Sequence, residues 1–164
     1  MTYVKWIFVV LIISSLTSFI EKDKLTVGLN VGEVAPNFMI KTALGEQTLS
    51  LNKLKGKYVL LSFWASYDAQ SRLQNASLSN MLVPAATNVK MVSVSFDSYQ
   101  SIFSETIKKD KIVTPTCFVE TAGESSELFK TYRLNRGFKN YLLDEQGVII
   151  AKNISAAELS SYLN

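Results

Sequence analysis

Asp68 and Ser71 stand three residues apart just beyond the apolar run Tyr58–Trp64, and the single cysteine, Cys117, stands far downstream. A serine becomes a nucleophile only beside a base. Histidine, the commonest base, is absent from all 164 residues. A histidine triad is therefore excluded. One thiol can form no intramolecular disulfide. With no histidine and one cysteine, a zinc site lacks its usual ligands, so no metal is expected, and no cofactor either. Asp68 is well suited to cap a helix, since its carboxylate can accept first-turn N–H bonds. Ser71 is expected as a solvated first-turn residue. Cys117 lies between Thr116 and Phe118 in an apolar strand, where a free cysteine behaves as a small hydrophobe.

The elements around these residues follow from patterning. Tyr58-Val-Leu-Leu-Ser-Phe-Trp64 reads as a strand buried on both faces, and Val89-Lys-Met-Val-Ser-Val-Ser-Phe96 as a second. A helix is expected from Asp68 through Leu73 and Leu78, ending before Pro84. Ser98 is placed to cap a helix over 99–109 with Ile102, Phe103 and Ile107 as its apolar stripe. Met39–Ser50 predicts a hairpin turning at Ala43-Leu-Gly45, and Leu51–Gly56 a helical turn ended by glycine. Thr116–Val119 predicts a short strand, and Ser125–Tyr132 a short helix. Asn140–Asp144 and Gly147–Ala151 pair around Glu145-Gln146, and Ser155 caps a last helix through Leu163. The class is α/β: a mixed sheet with helices on both faces and an N-terminal hairpin extension.

Lys5 precedes the apolar stretch Trp6–Ile20, and the charged run Glu21-Lys-Asp-Lys24 follows. Residues 1–20 read as a signal peptide or signal anchor. The stretch is slightly short for a full span, and bulky Phe19 and Ile20 make a poor cleavage site. No cysteine follows, so a lipid-anchored lipoprotein is not expected. Residues 21–30 read as a linker and 31–164 as one domain. The rest of the chain is expected outside the cytoplasm, periplasmic or tethered to the outer face of the inner membrane. The net charge of +3 is spread out, with no basic stripe for nucleic acid.

Four pieces in order resemble the TlpA/ResA-like thioredoxins, the exported branch that shares its outline with peroxiredoxins. Val31-Gly-Glu-Val-Ala-Pro-Asn-Phe38 is similar to the family's G-x-x-A-P-x-F lead-in. Leu51-Asn-Lys-Leu-Lys-Gly-Lys-Tyr-Val-Leu-Leu-Ser-Phe-Trp-Ala-Ser66 is similar to its L-x-x-L-K-G-K-x-V-L-L-x-F-W-A-S. Val92-Ser-Val-Ser-Phe-Asp97 resembles its central strand, and Tyr141-Leu-Leu-Asp-Glu-Gln-Gly-Val-Ile149 its F-L-I-D-x-x-G-x-I hairpin. The resemblance implies a thioredoxin fold. Active members continue with W-C-x-x-C-R. Here the residues are Tyr67-Asp68-Ala69-Gln70-Ser71-Arg72, so Asp68 stands at the attacking cysteine and Ser71 at the resolving one. The family's cis-proline position falls on Phe138, where a trans bond is expected, a cis bond before a non-proline residue costing about 2.5–4 kcal/mol. Pro115 is not the missing proline, because the hairpin and last helix follow Tyr141 and not Cys117.

Dithiol exchange needs a thiolate to attack and a second thiol to release the mixed disulfide. A carboxylate and an alcohol do neither. The leading expectation is therefore a redox-inactive binding or accessory module for an envelope or membrane protein. Trp64, Tyr67, Asp68 and Phe138 are its candidate partner groove. The alternative is a thiol-disulfide oxidoreductase or antioxidant of the resembled family.

Overall fold

The computed structural model describes residues 25–41, 48–82, 88–112 and 115–162. The leader 1–20, the hairpin turn at 43–45 and Pro84 lie outside the described residues. Two strands, β1 (Met39–Lys41) and β2 (Thr48–Ser50), pair antiparallel as the expected hairpin. A 3-10 turn over Leu51–Leu54 then leads to Gly56, whose φ of +88° a glycine adopts without strain.

The main sheet follows from β3 (Tyr58–Trp64), β4 (Val89–Ser95), β5 (Cys117–Val119), β6 (Asn140–Leu143) and β7 (Ile149–Lys152). Their order is β5-β4-β3-β6-β7. The β3–β4 and β4–β5 pairs are parallel, and β6 pairs antiparallel with both β3 and β7. β3 is thus central, and its period-2 alternation divides the core. Val59, Leu61 and Phe63 face one side, where they meet Phe38, Leu128, Phe129, Tyr132 and Tyr141. Leu60 and Trp64 face the other, against Leu78 and Leu159 in one cluster and Phe103 and Ile112 in another. Helices α1 (Ala69–Leu82), α2 (Gln100–Lys109) and α4 (Ala156–Ser160) contribute to this second side, and α3 (Glu127–Thr131) covers the first. This is the thioredoxin-like mixed sheet with helices on both faces and an N-terminal hairpin.

Several local expectations shift. Ser98 does not cap α2: the first helical bond, Phe103 N–H to the Tyr99 carbonyl, makes Tyr99 the N-cap and leaves Ser98 one residue outside. Ile102 is exposed, and the buried positions of α2 are Phe103 and Thr106. The short helix expected over Ser125–Tyr132 runs Glu127–Thr131 and is capped by Ser126, whose hydroxyl accepts from the Phe129 N–H at 3.1 Å. Ser155 does cap α4, in a reciprocal capping box with Glu158, but the helix stops at Ser160. Upstream of residue 31, the Val34 N–H donates to the Thr26 carbonyl, and the Lys152 ammonium of β7 donates to the Leu29 carbonyl.

Candidate functional site

The site lies where β3 ends and α1 begins. β3 delivers the chain at the carboxyl edge of a central strand, and residues 65–68 turn it into the helix. Asp97, just past β4, holds that turn. One of its carboxylate oxygens accepts from the Ser66 N–H at 3.0 Å and from the Ser66 hydroxyl at 2.6 Å, and the other accepts from the Ser95 hydroxyl at 2.6 Å. Asp97 is 2% exposed, and these bonds compensate its burial. The sequence pattern places Asp97 only at the end of a strand. An acid directly after an apolar strand, at the edge where ligands meet α/β sheets, is the signal that marks it.

Asp68 caps α1. Its Oδ1 accepts from the Ser71 N–H at 2.8 Å, and its carbonyl accepts the first helical bond from Arg72. Ser71 is not solvated as expected: it is buried, and its hydroxyl turns back to the Asp68 carbonyl at 3.3 Å. The two residues at the resembled cysteine positions are therefore occupied with each other. The positive end of the helix macrodipole meets a carboxylate, not a thiol.

Arg72 reaches from α1 to the end of α2, with Nε 2.6 Å and Nη2 2.7 Å from the two Asp110 oxygens. The bidentate bond to Arg72 holds the Asp110 carboxyl below the ordinary aspartate range. The stabilisation that follows is present above the unfolded pKa and lost as pH falls through the folded one. Arg72→Ala should therefore cost about 1 kcal/mol near neutrality, given partial solvent screening. Urea midpoints for parent and variant should converge as pH falls through the lowered folded pKa of Asp110 and its carboxylate is protonated.

Trp64 does not reach the groove. It is fully buried, because its position in β3 points it at the α1 side. Its Nε1–H donates to the Ser93 hydroxyl at 2.8 Å, which in turn donates to Asn75 Oδ1 at 2.8 Å. Tyr67 and Phe138 do meet at the surface. Their ring centroids are 6.2 Å apart, and Tyr67 is 66% exposed. Phe138 follows Gly137, whose φ is +101°, and no peptide bond among the described residues is cis. Its ring stacks on Phe96 at 6.0 Å and meets Phe129 edge-on at 6.2 Å. Phe138 is thus half-buried, joined to the core beneath and to Tyr67 above. Desolvation first, then the carboxylates of Glu124, Asp97 and Asp68, raise the Tyr67 phenol above its ordinary value.

Cys117 lies apart from this ledge, on edge strand β5, in register with Ser93. Burial pushes its thiol up to about 11, against a smaller lowering by the Ser93 hydroxyl. At neutral pH it is a protonated thiol and a poor nucleophile. Among the described residues no group of three Cys, Asp or Glu side chains is arranged to hold a metal ion. No described helix is long and apolar enough to cross a membrane.

Residues 31–152 match the AhpC/TSA family. The chain is 30% identical over 133 residues to the thioredoxin-like protein YneN of Bacillus subtilis (strain 168), covering 77% of this chain and 73% of that protein. It is 24% identical over 150 residues to the thiol-disulfide oxidoreductase ResA of Bacillus cereus (strain ZK / E33L), covering 88% and 81% respectively. Its fold matches the crystal structure of a thioredoxin-like protein from Parabacteroides distasonis ATCC 8503 with a TM-score of 0.74 and 42% identity, over 85% of this chain and 98% of that one. With a central β3, the helix-starting turn at Asp68 and matches across most of its length, the chain belongs to the AhpC/TSA family of thioredoxin-like proteins.

Proposed function

We propose that this chain is a redox-inactive thioredoxin-fold module that works outside the cytoplasm by binding an envelope or membrane protein at the Tyr67–Phe138 ledge. One observation carries the reading. At the helix start where the resembled family keeps its cysteines, the Asp68 carboxylate caps the helix and Ser71 is buried against it. The sole thiol is elsewhere, with its pKa pushed up to about 11. Thiol-disulfide exchange draws on a thiolate and a second thiol. The exposed Tyr67 ring resting on Phe138 supports binding, since loops at a sheet's carboxyl edge are common binding positions. The location rests on the N-terminal sequence, where Lys5 leads the apolar stretch Trp6–Ile20.

The second reading is a thiol-disulfide oxidoreductase, and the name of the Bacillus cereus relative favours it. In this chain it would run through Cys117 and a thiol from another molecule. Insulin reduction by the purified protein separates the two. We expect no turbidity above the dithiothreitol-only rate, and the same trace for Cys117→Ser. A clear reductase signal that Cys117→Ser abolishes would establish the second reading and overturn the first. Fractionation of cells producing the full chain tests location: recovery in the cytosol would refute an exported module.

A further inference from the structure

Carboxylates and cations both flank the ledge. Around Tyr67 the nearby charges are the carboxylates of Glu124, Asp97 and Asp68. Beyond Phe138 the cations outnumber the carboxylates. Phe129, edge-on to Phe138 at 6.2 Å, also forms one wall of a surface cavity of about 370 Å³. Lys130, Arg133 and Arg136 line that cavity, against the single carboxylate of Glu124. Among the described residues the ion pair within 4 Å is Arg72–Asp110, so these three cations have no carboxylate that close.

The backbone sets the three cations side by side. Arg133 N–H donates to the Lys130 carbonyl at 3.0 Å, and Arg136 N–H donates to the Arg133 carbonyl at 3.3 Å. Arg133 sits at φ +53°, a conformation that glycine or asparagine adopts more readily. Nothing in the packing calls for arginine there, since its side chain is exposed. A charged residue kept in a strained backbone position beside a cavity motivates a binding role.

We propose that this surface holds an acidic protein segment, with an aromatic or apolar side chain on Tyr67–Phe138 and carboxylates in the cavity lined by Lys130, Arg133 and Arg136. The proposal rests on the reading of the chain as a binding module and names its partner's chemistry. The two features are joined through Phe129, so a ligand that uses both carries an apolar group and anions together. A free phosphate or carboxylate uses only the cavity. A single-stranded nucleic acid carries a phosphate at every step, and would set some of them against Glu124 and Asp68. A peptide can carry its anions on one side only.

Synthetic peptides test this with the full chain in detergent. One has a phenylalanine followed by four glutamates, one has the reverse order, and one replaces the glutamates by lysines. Binding is read by calorimetry at low and high salt. At least one acidic peptide should bind about tenfold more tightly than the lysine peptide, and salt should erase most of the difference. Arg133→Gly with Arg136→Gln should weaken that binding about tenfold. The same variant should keep its urea midpoint, because glycine relieves the strained φ at 133. Equal binding of acidic and lysine peptides, no binding of either acidic peptide, unchanged affinity in the double variant, or tighter binding of a short oligothymidylate would each overturn the proposal. The insulin assay is independent of these outcomes. A protein with no reductase activity and no acidic-peptide binding loses the partner chemistry alone, whereas reductase activity through Cys117 removes the module reading itself.

Discussion

Ser93→Ala is expected to lower the free energy of unfolding by about 2–4 kcal/mol, a large fraction of the stability of a domain this size. The Ser93 hydroxyl is the hub of a buried polar chain on the α1 side of the sheet. It accepts from Trp64 Nε1–H and donates to Asn75 Oδ1, each at 2.8 Å, and all three residues are fully buried. Removing it strands one donor and one acceptor where water cannot reach them. Each such group costs about 1–3 kcal/mol. Asn75 Nδ2 already has no hydrogen-bond partner, so its amide has little room to compensate by flipping. Urea midpoints of parent, Ser93→Ala, Asn75→Ala and the double variant give the measurement. The double should cost clearly less than the sum of the singles, because both remove one bond. A Ser93→Ala cost below about 0.5 kcal/mol would mean that Trp64 and Asn75 find other partners.

The largest functional change expected is in the other direction. Asp68→Cys with Ser71→Cys should let this chain form a reversible intramolecular disulfide, which its single cysteine cannot. The new thiol at 68 would lie at the start of α1, where the helix dipole favours its thiolate. Two costs accompany the gain. The double variant loses the Asp68 cap, worth about 1 kcal/mol, and its turnover is expected to stay poor because Phe138 stands at the position of the resembled family's cis-proline. Phe138→Pro added to the two cysteines should raise turnover. It also removes a ring that contacts Phe96, Phe129 and Tyr67. For a half-buried ring that loss should cost about 1–3 kcal/mol. Insulin reduction and denaturant midpoints on the same variants should therefore move oppositely. Full turnover from the two cysteines alone would show that Phe138 does not obstruct the site.

The role of Phe138 illustrates how legible this site is before folding. Its place opposite Tyr67 follows from motif order, because the hairpin at Tyr141–Ile149 and the strand ending at Trp64 set the register of both. Its contacts with Phe96 and Phe129 do not, since those residues come from separate elements. Trp64 shows the same limit from the other side. The apolar run marks it as buried or as site-lining without deciding which. The answer depends on the β3 register, which turns Val59, Leu61 and Phe63 toward α3 and Trp64 toward Ser93 and Phe103.

Local chemistry determined much of this protein by itself. One cysteine and no histidine exclude a dithiol pair and a histidine triad. The two-sided apolar runs at 58–64 and 89–95 require interior strands. An aspartate before a helix predicts a cap, which Asp68 makes. Tertiary structure alone decided the interactions between residues distant in the chain. Arg72 meets Asp110 across 38 positions, Ser66 meets Asp97 across 31, and Ser71 is buried instead of solvated. It also decided that Phe129 joins the Tyr67–Phe138 ledge to the cavity of Lys130, Arg133 and Arg136. Periodicity and capping act within a few residues of the chain and can be read there. Ion pairs, buried polar hubs and surface charge depend on which faces the sheet order brings together, and no local pattern encodes that order.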